Sequence, residues 1–163
     1  MKVKLSDFKE QDITKEYLGW LSNQSLMRFS RQQSIIHNEV TALRYLNELR
    51  EEGGRLLKIV VLDKYGGDIC IGTLSVRNAG LGISDLGLMI GSNEYRGQGY
   101  GFAAWEMGIE LVWQLNESKQ ITAGTRANNL AMMRIIEKSG MTYQESRIEE
   151  NDLINYYYLE RSF

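Results

Sequence analysis

The chain has 163 residues, 43% of them hydrophobic, and sets 19 lysines and arginines against 21 aspartates and glutamates. That length predicts one domain, residues 1–163, with a sizeable core, and a net charge of -2 excludes the basic footprint of a nucleic-acid or anionic-membrane binder. A single cysteine excludes an intrachain disulfide and suits a reducing cytosol, and no apolar run is long enough to span a bilayer.

Residues 1–5 alternate Val3 and Leu5 with lysines, which predicts a first strand, and charge follows too soon for a signal peptide. Asp7 or Asp12 is expected to start a helix with Tyr17, Leu18 and Leu21 inward, broken by Ser22-Asn23-Gln24-Ser25. Residues 26–34 show no period and read as irregular. The sole histidine, His37, has no partner visible in sequence, so a structural or solvated role is expected, with a base role as the alternative because it lies in the front segment. Asn38 predicts the cap of a helix from Glu39, with Val40, Leu43, Leu46 and Leu49 inward and Gly53-Gly54 as its stop. Residues 56–62 and 68–77 read as strands joined by the turn Asp63-Lys64-Tyr65-Gly66-Gly67. Cys70, between Ile69 and Ile71, is expected to be a buried, inert thiol.

Residues 83–90 form the next predicted strand, with Leu86, Leu88 and Ile90 alternating against Asp85, Gly87 and Met89. Gly91-Ser92-Asn93 stops it, and Arg96-Gly97-Gln98-Gly99-Tyr100-Gly101 follows. A helix comes next, carrying Phe102, Trp105, Ile109 and Val112 on one line and Ala104, Gly108, Leu111 and Leu115 on another. Strand, glycine-rich turn and helix together make a cradle for a pyrophosphate. Backbone N–H groups of the turn converge on one concavity, and the helix adds its positive end. Arg96 at the mouth can add a charge-assisted contact.

Three cradles share this order. A phosphate-loop NTPase needs Lys and then Ser or Thr after the last glycine, where Tyr100-Gly101-Phe102 has neither. The relaxed dinucleotide fingerprint fits Gly99, Gly101 and Ala104, but that fold wants an acidic end to the next strand, and residues 120–125 end in Ala123-Gly124-Thr125. The third cradle, Arg-x-x-Gly-x-Gly, fits Arg96, Gly99 and Gly101 without a gap. In this loop the chain resembles the GNAT acetyltransferases.

A second segment strengthens the resemblance. After the 120–125 strand, Asn129 opens a helix that ends at Gly140, and the run Asn129, Arg134, Glu137-Lys138-x-Gly140-Met141 is similar to the RimJ/RimL branch of that family. Residues 143–149 and 154–160 close the chain as a strand pair turning at Asn151-Asp152. The whole layout predicts a mixed α/β domain of the α+β kind. The resemblance implies one central, mostly antiparallel sheet splayed at the cofactor cleft and flanked by about four helices.

The resemblance further implies acetyl-CoA as co-substrate. Its amide arm would pair with Leu88, Met89 and Ile90. Its pyrophosphate would sit on Arg96, Gly97, Gln98, Gly99, Tyr100 and Gly101, with Asn129 touching the arm from the other side. An amine would attack the thioester directly, helped by proximity, a backbone N–H at the oxyanion and a base. Asp85 occupies the acidic position of the RimJ/RimL pattern and is the candidate base. The family's usual acid positions hold Ile136 and Met132, so the proton for the thiolate is left to Tyr143, Tyr156, Tyr157, Tyr158 or solvent.

The front segment, Tyr17-Leu18-Gly19-Trp20-Leu21-Ser22-Asn23 through Arg28-Phe29-Ser30-Arg31, resembles acetyltransferases of nucleotide-linked amino sugars. This makes Trp20, Arg28 and Arg31 candidate acceptor contacts. A peptide N-terminus is the second acceptor class, and a small amine or antibiotic the third. A CoA-binding module without turnover is the reading from another class. No metal-site spacing occurs. Partners are expected to be a small amine alone, without nucleic acid or membrane, for a cytoplasmic monomer or homodimer.

Overall fold

The computed structural model describes residues 2–30, 35–115 and 117–162. Seven strands make one sheet: β1 (Lys4–Asp7), β2 (Arg55–Leu62), β3 (Asp68–Asn78), β4 (Ile83–Ile90), β5 (Gln120–Arg126), β6 (Thr142–Glu149) and β7 (Asp152–Glu160). They lie in the order β1-β2-β3-β4-β5-β7-β6, and every neighbouring pair is antiparallel except β4 and β5. Five α-helices accompany them, one more than expected: α1 (Lys15–Ser22), α2 (Gln24–Met27), α3 (Glu39–Glu51), α4 (Tyr100–Gln114) and α5 (Leu130–Lys138). Parallel strands need a long crossover, and α4 supplies it between β4 and β5.

Period-two alternation gives the sheet two apolar faces. On one, Leu57, Ile59, Leu74, Leu86, Ile121 and Ala123 meet Trp105, Ile109 and Val112 of α4 and Ile136 of α5. The Trp105 indole, wholly buried, donates to Ser139 Oγ at 3.1 Å, and that hydroxyl donates to the Ile136 carbonyl at 2.6 Å. On the other face, Phe8 and Leu56 meet Tyr17 of α1 and Ala42, Leu46 and Leu49 of α3. Each fully buried leucine contributes about 2 kcal/mol to this packing.

Several local expectations are corrected. The cap of α1 is Thr14, whose Oγ1 accepts from Tyr17 N at 3.2 Å, while Asp12 accepts from Lys9 N in the preceding turn. The break after α1, expected over residues 22–25, is one residue, Asn23, whose side chain caps α2, and α2 ends inside the stretch from residue 26 expected to be irregular. Val40 is 66% exposed, and Ala42 takes the inward place in α3. Leu115 lies past the end of α4, 50% exposed. Cys70 is half-buried, not fully enclosed. The β6–β7 turn is Glu150-Asn151, both at positive φ, as a two-residue turn of this hand requires.

Candidate active site

The parallel pair β4–β5 is short. Ile83, Ser84 and Asp85 stand opposite Gln120, Ile121 and Thr122, and pairing stops there although both strands continue. From Leu86 to Ile90, β4 therefore faces an opening on its β5 side, while its other edge stays paired to β3. Asp85 is the last paired residue, at the apex of the opening. Its Oδ1 accepts a hydrogen bond from Thr122 Oγ1 at 2.7 Å.

At the wide end of the opening, β4 runs into the glycine-rich loop. Gly97 and Gly99 have φ of 70° and 90°, a region that L side chains avoid. Gly99 is also the residue before α4, so the loop feeds directly into that helix's N-terminus. No atom lies within 4 Å of where a Gly97 Cβ would sit. That open space leaves the Gly97 backbone uncovered by side chains, which suits the approach of a pyrophosphate. Gly101 serves packing: a Cβ there would lie 3.2 Å from Ile135 and 3.4 Å from Leu88. Arg96 is braced from within, donating Nε to the Ile90 carbonyl at 3.0 Å and Nη2 to the Gly91 carbonyl at 3.1 Å. Gln98 donates to the Glu94 carbonyl. Opposite, the Asn129 side chain caps α5, accepting from Met132 N at 3.3 Å.

Asp85, Gly87 and Met89 point to the α1–α3 face, where a cavity of about 190 Å³ opens. Gly87 and Met89 form part of its wall with Thr73 and Ser75 of β3, Tyr17 and Leu21 of α1, and Thr41, Ala42 and Tyr45 of α3. Gly87 keeps this wall open, because a Cβ there would stand 2.6 Å from Ser75 Oγ. Burial pushes the Tyr17 phenol well above its ordinary range, so it stays protonated at physiological pH. His37 lines this cavity and the neighbouring one. Neither Ser75 nor Tyr45 stood out in the sequence, although the alternation of β3 about Leu74 places Thr73 and Ser75 on this face.

The acceptor candidates are dispersed. Trp20 stacks on Gly91, where a Cβ would come within 2.0 Å of its ring, and meets Tyr17 edge-on at 6.3 Å. It supports the end of β4 and is not among the residues lining the cavity. Arg28 is exposed, its guanidinium 4.8 Å from the Phe29 ring centroid, and Arg126 Nη1 donates to its carbonyl at 2.7 Å. Arg126 Nη2 also pairs with Asp152 at 3.0 Å, tying α2's end to the β5–β7 arm. Arg31 lies outside the described residues. Ile136 is wholly buried and Met132 packs against the same core. The hydroxyls of Tyr143, Tyr156 and Tyr157 bond to Ser146, Glu149 and Glu137, whereas Tyr158 lies opposite Thr122 in register. Among the described residues no cluster suits a metal, and no helix is long and apolar enough to cross a membrane.

Comparison with known proteins agrees with this geometry. Residues 2–142 match the model of the acetyltransferase (GNAT) domain. No curated protein sequence matches the chain. Among solved structures, an aminoglycoside acetyltransferase in complex with coenzyme A is similar, with 18% identity, coverage of 98% of this chain and 95% of that one, and a TM-score of 0.81. Spermidine N-acetyltransferase from Vibrio cholerae, in complex with CoA and spermine, is 12% identical, with coverage of 97% and 95% and a TM-score of 0.81. A domain from Methanocaldococcus jannaschii is 17% identical, with coverage of 97% and 99% and a TM-score of 0.80. At these identities the likeness speaks for the fold. With a family model spanning most of its length and the family's cleft in its sheet, the chain belongs to the GNAT acetyltransferases, acyltransferases that take their acetyl group from acetyl-CoA.

Proposed function

We propose that this protein transfers acetyl from acetyl-CoA to the primary amine of a small acceptor held on the α1–α3 face, with Asp85 as base. One observation carries the reading: the sheet opens immediately after the Asp85–Thr122 pair, and a cavity whose β4 wall begins two residues on, at Gly87, lies on the face to which Asp85 points. The backbone of Leu88, Met89 and Ile90 offers a ladder to the amide arm. Residues 96–101 offer the pyrophosphate cradle, and Asn129 forms the facing wall at the start of α5. Bound acetyl-CoA supplies the thioester. Asp85 takes the proton from the ammonium so that the free amine can attack, and the departing thiolate is left to draw its proton from solvent.

For the acceptor, the front-segment resemblance supports an amino sugar. Hydroxyl-bearing and apolar residues both line the cavity, which suits a sugar ring. A nucleotide diphosphate on that sugar would extend beyond the cavity, toward the exposed Arg28. A small amine fits the same space, in keeping with similar structures described as aminoglycoside and spermidine acetyltransferases. The Arg134 and Glu137-Lys138-x-Gly140-Met141 pattern supports placement in the RimJ/RimL-like branch. As the sole cysteine, Cys70 supports a cytosolic setting.

The test is CoA-thiol release from acetyl-CoA over an amine panel, with wild-type protein and Asp85→Asn. The variant is expected to lower kcat by about a hundredfold or more while leaving CoA affinity unchanged. An unchanged rate would remove Asp85 as base. CoA binding without release for every amine would favour a module without turnover.

A further inference from the structure

We propose that the acceptor brings into the cavity a single amine on an otherwise uncharged, partly apolar moiety, and that polycations are poor acceptors. This inference rests on the acetyl-transfer reading above and narrows it. What carries it is the chemistry of the cavity wall. Leu56 and Met89 are apolar, and Thr41, Tyr45 and Ser75 carry hydroxyls, that of Thr41 being held by the capping box with Asn38. Among the described residues the wall holds no Asp, Glu, Lys or Arg. The adjoining cavity, of about 260 Å³, shares Leu21, Met27, Ile35 and His37 with the first, and its wall is also without carboxylates.

A polyamine or multiply aminated antibiotic brings several ammonium groups, and the reaction deprotonates just one. Each further ammonium drawn from water needs a counter-charge or a full set of acceptors. Asp85 answers for the reacting nitrogen and for no other. The phenol of Tyr17 stays neutral because burial disfavours its ionised form. His37 offers a polycation no negative charge in either protonation state. An uncharged moiety meets none of these penalties, since its hydroxyls can pair with Tyr45 and Ser75 and its carbons cover Leu56 and Met89. An anionic appendage is compatible provided it stays outside the cavity.

The experiment compares acceptors in one assay of CoA release by the wild-type protein. Glucosamine and tyramine carry one amine each; spermidine and kanamycin carry several. The expected result is a kcat/KM for the better single amine at least about tenfold above both polycations, or about 1.4 kcal/mol of discrimination. Equal or better use of spermidine or kanamycin would overturn the charge rule and leave acetyl transfer standing. No release with any amine, from protein shown to bind CoA, would overturn both. Thr41→Glu adds the missing charge, and the capping box with Asn38 accepts Glu at this position. It should raise spermidine use relative to glucosamine severalfold, and an unchanged ratio would count against the inference.

Discussion

Asp85 ends the part of β4 paired with β5, and the hydroxyl that meets it belongs to the residue opposite, Thr122. A hydrogen bond at 2.7 Å ties one oxygen of the carboxylate to that hydroxyl. Thr122 is in this reading a positioning residue. Thr122→Val keeps the shape and removes the donor, so kcat should fall by about twofold to tenfold, the range of one net hydrogen bond. The acetyl-CoA KM should not move, and Thr122→Ser should restore the rate. A fall in Thr122→Val that Thr122→Ser fails to rescue would mark a packing role instead. Cys70 gives a second prediction at this scale. Burial pushes its thiol above the ordinary value, so the thiolate fraction at pH 8 is smaller than in a free cysteine. Alkylation by iodoacetamide should be slower than for glutathione at that pH. Its rate should rise through a midpoint above about 8.5, the unperturbed thiol value.

The join between β4 and the loop is held from two sides. Trp20 of α1 lies on Gly91, and Arg96 reaches back to the carbonyls of Ile90 and Gly91. A Cβ at residue 91 would enter the indole ring, so Gly91→Ala should destabilise the fold by about 1–3 kcal/mol in urea titrations. Combined with Trp20→Ala the two changes should fall short of additivity, because the smaller side chain removes the clash. Additive losses would mean the loop relaxes by another route. This join also shows how far the sequence could be read. The glycines at 97 and 99 and the alternation of β4 are local signals, since each residue type answers to its own backbone geometry. The packing of Trp20 on Gly91 depends on residues 71 positions apart and leaves no local trace. The same holds for His37, which meets Ser75 and Gly87 in one cavity wall because α3 and the sheet bring them together. At the start of α1, Asp12 and Thr14 are both good caps by type. The choice between them rests on where the preceding turn lets the chain enter. In α3 the 3.6-residue period was sound, but its phase was set by the contact with Phe8 and Leu56, which buried Ala42 and exposed Val40.

On the scale of the molecule, the sheet is two units meeting at a short seam. The four strands β1 to β4 form one and β5, β7 and β6 the other, joined in the sheet by three register pairs. Across the seam, α4 and α5 bridge one face through Trp105 and Ser139, and Arg126 reaches the Arg28 carbonyl on the other. A ligand lying in the opening would touch both units and would bind the folded state alone. Mass action then sets its effect: at a concentration one hundred times Kd, coenzyme A should add about 2.7 kcal/mol of stability. For a chain of this size that corresponds to a rise in Tm of roughly 5–10 °C. Hydrogen exchange should slow at the amides of 86–90, on the open side of β4, and much less in β1 and β2. Arg96→Ala should reduce the shift in Tm by weakening the loop proposed to receive the pyrophosphate, without abolishing exchange protection in the β2–β3 ladder. Protection spread evenly over all strands would contradict a ligand seated at the seam. A normal Tm rise in Arg96→Ala would show that Gly97 and Gly99 hold the pyrophosphate without the arginine's support.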